Sequence, residues 1–159
     1  MQGVRNDMKP VYTDIHIHTS ENADNLTQKY DVDTLFAKVR QMAQGASALL
    51  SFTDHNTINE KAYLSALAKC GDDIHLLLGV ELHIHYDLST EAYHCHMLFK
   101  GEVTREKIQA INTVLDELYP NKVVAKKSAS IPTLDKVINS FDTYDFVLLP
   151  HGGAIACYV

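Results

Sequence analysis

Apolar and polar positions alternate along the chain in two ways. Strand-like runs each end near an ionisable residue, and stretches with helical spacing separate them. Val11-Tyr12-Thr13-Asp14-Ile15-His16-Ile17-His18 carries β-branched, aromatic or apolar residues at Val11, Tyr12, Ile15 and Ile17, which favours extended chain. Residues 46–52 are mostly apolar and run into Thr53-Asp54-His55-Asn56, and residues 74–80 run into Glu81-Leu82-His83-Ile84-His85. Residues 93–99, and residues 146–149 leading into Pro150-His151-Gly152-Gly153, complete the set. Runs this apolar suit strands buried on both faces of a parallel sheet. Asp33 caps a predicted helix over 33–44, with Leu35, Phe36, Val39 and Met42 on its buried face and Gly45 as its stop. A second helix is predicted from Asn56 or Thr57 to Ala68, burying Ile58, Tyr63, Leu64 and Leu67. A third, over 104–118, places Ile108, Ile111, Val114, Leu115 and Leu118 on one face before Pro120, and Pro132 opens a shorter one through Val137 and Ile138. Strand, helix, strand, helix, strand is the rhythm of an α/β fold. The short polar link over 86–92 suits an antiparallel pair.

The ionisable residues at these strands change the picture. Side chains on a strand alternate faces, so Asp14, His16 and His18 project together, with the two imidazoles roughly 7 Å apart. A metal at the strand end takes both with a small bend. Of the nine histidines, all but His75, which opens a strand-like run, lie further along or at the end of one. The C-terminal ends of strands are where α/β barrels keep their active sites. A repeated pattern of apolar strand followed by histidine or carboxylate therefore predicts a metal centre rather than packing. Mixed imidazole and carboxylate donors suit zinc, manganese or iron, whereas magnesium and calcium prefer oxygen. Glu81 is the carboxylate placed to bridge two ions, and a pair of ions can bind both the attacking and leaving oxygens of a phosphoryl displacement. The chain shows no Ser-His-Asp or Cys-His constellation and no glycine-rich phosphate loop.

Composition sets the outer limits. At 159 residues the chain fits one domain, and 46% hydrophobic with 21% charged residues is ordinary for a globular protein. A formal net charge of −6 makes it no electrostatic magnet for nucleic acid. Cys70, Cys95 and Cys157 form no close pair, which fits a reducing, cytoplasmic setting. Cys95 points away from His94 and His96 and reads as core. No 18-residue apolar run predicts a membrane span. Residues 1–10 read as a flexible leader and 11–159 as the domain. Residues 20–30 read as a loop over the site. Lys122, Lys126 and Lys127 form the one basic cluster, read as a solvated loop.

Five motifs in order carry a resemblance: Asp14-Ile15-His16-Ile17-His18-Thr19, Thr53-Asp54-His55-Asn56, Gly79-Val80-Glu81, His96-Met97-Leu98 and Pro150-His151-Gly152. Together they resemble the PHP (polymerase and histidinol phosphatase) domain family over residues 11–153. The resemblance implies an α/β fold, a distorted (β/α)7 TIM-like barrel, and a metal-dependent phosphoesterase with two to three divalent ions. It implies His16, His18 and Glu81 on one ion, Glu81, His96 and His151 on a second, and His55 on a third. Asp24 and His94 are further candidate ligands. Glu81, His55 and Asp54 are the candidate catalytic residues, with Asp14 and Asp54 expected to orient imidazoles from behind. His83 and His85 remain open as ligands, substrate contacts or phosphate-stabilising acids. The expected substrate is a phosphorylated small molecule, a nucleotide or a nucleic-acid end, with an ATPase domain as a possible fused or associated partner. The alternatives are a stand-alone phosphatase such as one acting on histidinol phosphate, or a metal-binding regulatory domain. The family's late Asp-x-His has no counterpart after Gly153. The barrel is therefore expected to be incomplete at its C-terminal side, weak at the third ion, and prone to self-association through an open edge at residues 155–159.

Overall fold

The computed structural model describes residues 10–20, 31–122 and 130–151, and within them the chain forms six strands and four helices. β1 (Val11–Ile17) pairs parallel with β2 (Ser47–Phe52), and β2 pairs parallel with β3 (Ile74–Leu76). β4 (Leu78–Ile84) continues β3 after a break at Leu77, whose N–H still donates to Leu50 O at 2.8 Å. β4 then pairs antiparallel with β5 (Tyr93–Phe99), and β5 antiparallel with β6 (Phe146–His151). Two backbone bonds past the end of β2, Glu81 N–H to Asp54 O at 3.1 Å and Asn56 N–H to Glu81 O at 2.8 Å, join the two ladders. The result is one curled, half-barrel sheet in the order β1, β2, β3–β4, β5, β6.

β5 runs against the other strands. The eight-residue link between β4 and β5 is too short for a crossover helix, so the hairpin reading of residues 86–92 holds. The seven (β/α) units implied by the resemblance are not what the described residues assemble. The sheet is part of a barrel wall with one reversed strand.

Helix boundaries follow their caps. The cap of α1 (Val32–Ala43) lies two residues before the sequence reading because Asp31, not Asp33, accepts from the N–H groups of Asp33 and Thr34. Gln44 ends it in the left-handed region at φ 51°, followed by Gly45 at φ 87°. α2 (Glu60–Leu67) starts later than the sequence reading, at the Asn59 cap, because Asn56 takes φ 55° and its side chain serves tertiary contacts. Asn112 on α3 (Arg105–Leu118) brackets the peptide of Ile58, accepting from its N–H and donating to its carbonyl, each at 2.9 Å. Thr104 caps α3 and Thr133 caps α4 (Leu134–Ser140).

The core sits on one face of β4 and β5. Leu78, Val80, Leu82 and Ile84 alternate inward with Cys95, Met97 and Phe99 to join Ile108, Ile111, Leu115 and Val137. Burial on both faces does not extend to the ends of the strand order. Val11 on β1 is 54% exposed and Val147 on β6 is 48% exposed, since each strand has one paired neighbour among the described residues. Met42, expected inside, is exposed. No described helix is long and apolar enough to cross a membrane.

Candidate metal centre

The opposite face of the same strands carries the ionisable residues. Register pairs Glu81 with His96, His83 with His94, and His94 with His151. Period-two alternation then puts Glu81, His83, His94 and His96 on one surface. β1 supplies His16 and His18 through a register irregularity between Asp14 and Ile17. Such a bulge re-aims side chains. Here it turns two imidazoles that would sit roughly 7 Å apart on a regular strand until their Nε2 atoms lie 2.9 Å from each other. His55 arrives from the segment after β2, bridged to Glu81.

Glu81 is the focus. It is 1% exposed, and its Oε2 lies 3.1 Å from His18 Nε2, 3.2 Å from His16 Nε2, 3.8 Å from His96 Nε2 and 3.9 Å from His55 Nδ1. Its Oε1 takes the hydrogen bond of His94 Nδ1. Donor atoms converge in three groups, each within 4.8 Å: His16, Glu81, His96 and His151; His18, His55 and Glu81; and His55, His83 and His94. The first differs from the ligand set the resemblance implied, since His16 joins His96 and His151 while His18 faces His55.

Electrostatics keep these groups in their ligand forms. Burial alone would raise the Glu81 carboxyl, but the close approach of the His18, His94 and His96 imidazoles and the field of His55 outweigh it and hold it well below the carboxylate range. Burial lowers His16, with Glu81 opposing and His96, His151 and His18 reinforcing. Burial likewise lowers His55, against Glu81 and with His18, His94 and His16. His16 and His55 are therefore neutral at physiological pH.

The donor set fits divalent cations. Among the described residues, the buried His55 Nδ1 and His96 Nε2 have no hydrogen-bond partner, although both face Glu81. A neutral imidazole has one N–H and one lone pair, and a carboxylate only accepts. Several ring nitrogens aimed at one oxygen and at each other cannot all be satisfied by protons. Cations that accept lone pairs satisfy them together, and imidazole with carboxylate suits zinc, manganese or iron.

Among the described residues, the hydrogen bonds of Asp54 and Asp14 run to backbone N–H and hydroxyl groups rather than to the imidazoles they were expected to orient. Asp54 is buried and accepts from Thr19 N–H at 2.7 Å, Thr19 Oγ1 at 2.5 Å and Ser20 N–H at 2.8 Å, so it fixes the chain leaving β1. Burial raises its pKa, with those hydrogen bonds opposing. Asp14 accepts from the backbone N–H of His16. His85 stands apart, because β4 ends at Ile84 and the His85 ring donates to Thr90 O at 2.7 Å. His83 is the residue the sequence left open that the structure brings in. The signal was its position two residues past Glu81 on a hairpin strand. His75 lies exposed on β3, and Cys95 is core as expected, its thiol pushed up to about 11 by burial. Asp24, Lys126, Lys127, Gly152 and the expected open edge at 155–159 lie outside the described residues. Lys122 is engaged by Asp116 and Thr57 and lines a groove of about 560 Å3 together with Lys61, Arg105 and Asn112.

No family model and no curated protein matches the chain. Among solved structures it is similar to a Bifidobacterium adolescentis protein provisionally named a metal-dependent phosphoesterase. The TM-score is 0.51 and the identity 15%, over 95% of this chain and 71% of that one. It also aligns with an amidohydrolase from Chromobacterium violaceum, solved with bound sulfate and no metal, at TM-score 0.43 and 24% identity. That alignment covers 69% of this chain and 34% of the amidohydrolase, about a third of its length. The likeness to the Bifidobacterium protein is one of fold.

Proposed function

We propose that the chain is a metal-dependent phosphoesterase of the PHP type, acting on a phosphate ester of a small molecule, a nucleotide or a nucleic-acid end. The observation that carries this reading is the buried Glu81 carboxylate ringed by His16, His18, His55, His94 and His96. A fold shared with a protein named for that activity supports it.

His16, Glu81, His96 and His151 would hold one cation, and His18, His55 and Glu81 a second, with Glu81 common to both. Cations held there would supply Lewis-acid charge to a phosphoryl oxygen and would lower the pKa of water. The chain's own residues prepare that role. Glu81 stays anionic and offsets part of the cationic charge, leaving a positive field for a phosphate. His16 and His55 present lone pairs without a proton to displace. Asp54 clamps Thr19 and Ser20, which sets where β1 delivers its histidines. No side-chain nucleophile is needed.

The test is phosphate release by protein stripped with chelator and reloaded with zinc, manganese or iron. Substrates are a chromogenic phosphomonoester, a nucleoside monophosphate and a 5′-phosphorylated oligonucleotide. Reloaded wild type should release phosphate from at least one of them, and Glu81→Gln should lose about 100-fold or more, the scale of losing one preorganised electrostatic group. Protein that binds cations and hydrolyses none of the three is not a phosphoesterase. Protein that binds no cation removes the centre itself.

A further inference from the structure

We propose that His83 and His94, facing each other across the β4–β5 hairpin, form with His55 an additional cation position made of imidazole nitrogen alone, suited to a divalent ion of the zinc class. It rests on the metal-dependent reading above and extends it, because neither Glu81-centred group contains His83 or His94.

Four observations meet there. His83 and His94 are a directly opposed cross-strand pair, their ring centroids 3.9 Å apart and their planes at 76°, so the two Nε2 atoms meet at 2.5 Å. His94 Nδ1 bonds Glu81 Oε1. A carboxylate accepts and never donates when ionised, so Nδ1 carries the His94 proton and Nε2 turns its lone pair toward His83. That is the carboxylate–histidine arrangement that metal-ligating imidazoles adopt, with the second ring nitrogen held by an acceptor. Third, the backbone of His83 is clamped on both sides. Asn56 Oδ1 accepts from its N–H at 3.0 Å, and Tyr119 OH donates to its carbonyl at 2.6 Å. Fourth, the His55 ring lies 5.2 Å from His94 and 5.5 Å from His83, bringing donor atoms of all three within 4.8 Å.

An imidazole-only set favours zinc and its neighbours over magnesium or calcium. Three protein ligands leave a tetrahedral ion one open position, the arrangement of reactive rather than structural zinc sites. His55 also belongs to the group of His18 and Glu81, and its one lone pair serves one ion at a time, so this position fills last, as His55 turns to it from an ion that His18 and Glu81 keep.

The same residues could instead be a hydrogen-bonded chain that only steadies Glu81. There His83 Nε2–H donates to His94, and Asn56 Nδ2, 3.5 Å away, faces His83 Nδ1. The two arrangements differ in what zinc does to the rings. Metal-free wild type is titrated with zinc alone while the isotope-labelled imidazole nitrogens are followed by NMR, and bound equivalents are counted by equilibrium dialysis. The expected result is that His83 and His94 Nε2 shift to the metal-bound range in the last step of the titration. His83→Asn then binds one equivalent fewer, or binds its last equivalent at least tenfold more weakly, while its metal-free melting curve stays that of a folded protein. Zinc bound by wild type with the His83 nitrogens unmoved overturns the proposal and leaves the Glu81 centre standing. Wild type that takes up no zinc overturns both. The NMR arm uses wild type only, so it decides even if a variant does not fold.

Discussion

Replacing Tyr63 by Phe removes one oxygen from the place where β2 hands over to β4. That hydroxyl is fully buried and accepts from the backbone N–H groups of Phe52 at 3.0 Å and Gly79 at 2.9 Å. It also lies 2.9 Å from the carbonyls of Phe52 and Leu77, to which its single proton can be donated in turn. A phenolic oxygen has one donor and two acceptor places, so its capacity is used. Burial pushes its pKa up, so it remains a donor at any pH of interest. Phe keeps the ring, whose centroid is 5.0 Å from that of Phe52, so packing survives and only hydrogen bonds are lost. Each buried N–H left without an acceptor costs about 1–3 kcal/mol, so two cost about 2–6. Local relaxation and the saved desolvation of the hydroxyl reduce this, and we expect a loss of about 3 kcal/mol. At about 2–4 °C per kcal/mol for a chain of this size, the melting temperature falls by about 6–12 °C. Urea unfolding of the metal-free protein, with its slope unchanged, measures it. A loss below about 1 kcal/mol would refute the idea that this hydroxyl ties the two ladders together.

Three further outcomes are expected. In Gly79→Ala the new Cβ would run into Ser51 Oγ and lie 2.8 Å from Leu98 Cδ2 and 3.1 Å from Thr53 Cγ2. The close approach of β4 to β2 must then open, at about 1–3 kcal/mol, and since Glu81 is two residues away, urea midpoint and bound metal should fall together. Asp54→Ala takes the acceptor from the buried N–H groups of Thr19 and Ser20 and should cost about 2–4 kcal/mol in the same assay. Asp54→Asn, which keeps a carbonyl oxygen, should cost clearly less, and equal losses would mean the hydrogen bonds are not the cause. For pH, the folded metal-free chain holds His16 and His55 below their ordinary 6.5 and Glu81 below its ordinary 4.5. All three then bind fewer protons folded than unfolded, so stability is present above those ordinary values and is lost as pH falls below about 6.5 and again below about 4.5. A melting temperature flat between about pH 7.5 and pH 5 contradicts the neutral imidazoles.

Which histidines converge was only half legible in the sequence. Period two put His16 with His18 and His94 with His96, and the short link over 86–92 indicated a hairpin. His83 could not be assigned until the register was known, because a slip by one residue turns every side chain to the other face. That register depends on how the link closes. Asp87 folds it locally by accepting from Ser89 N–H, while His85 N–H and Leu134 N–H bond across to Pro132 O and His85 O. Contacts made with residues almost fifty positions away leave no local pattern. The late start of α2 has the same origin, since Asn56 is drawn out of the helix by Lys122 O and His83 N–H. The exposure of β1 and β6 reflects their place in the strand order, which an apolar run does not encode.

The reversed strand accounts for the density of the centre. In a parallel sheet each strand offers only its C-terminal end to the shared rim, and β1 and β6 do so with His18 and His151. β5 enters at that rim, so it offers its beginning, and His94 and His96 precede the apolar stretch through Phe99. β4 contributes from mid-strand, with Glu81 and His83 opposite His96 and His94. It can do so because Gly79 lets its backbone pass close under Ser51 and Thr53, where a larger residue would lift Glu81 away from His55. A rule that looks for ligands only where strands end therefore finds His18 and His151, and passes over the hairpin that supplies the buried carboxylate and three imidazoles.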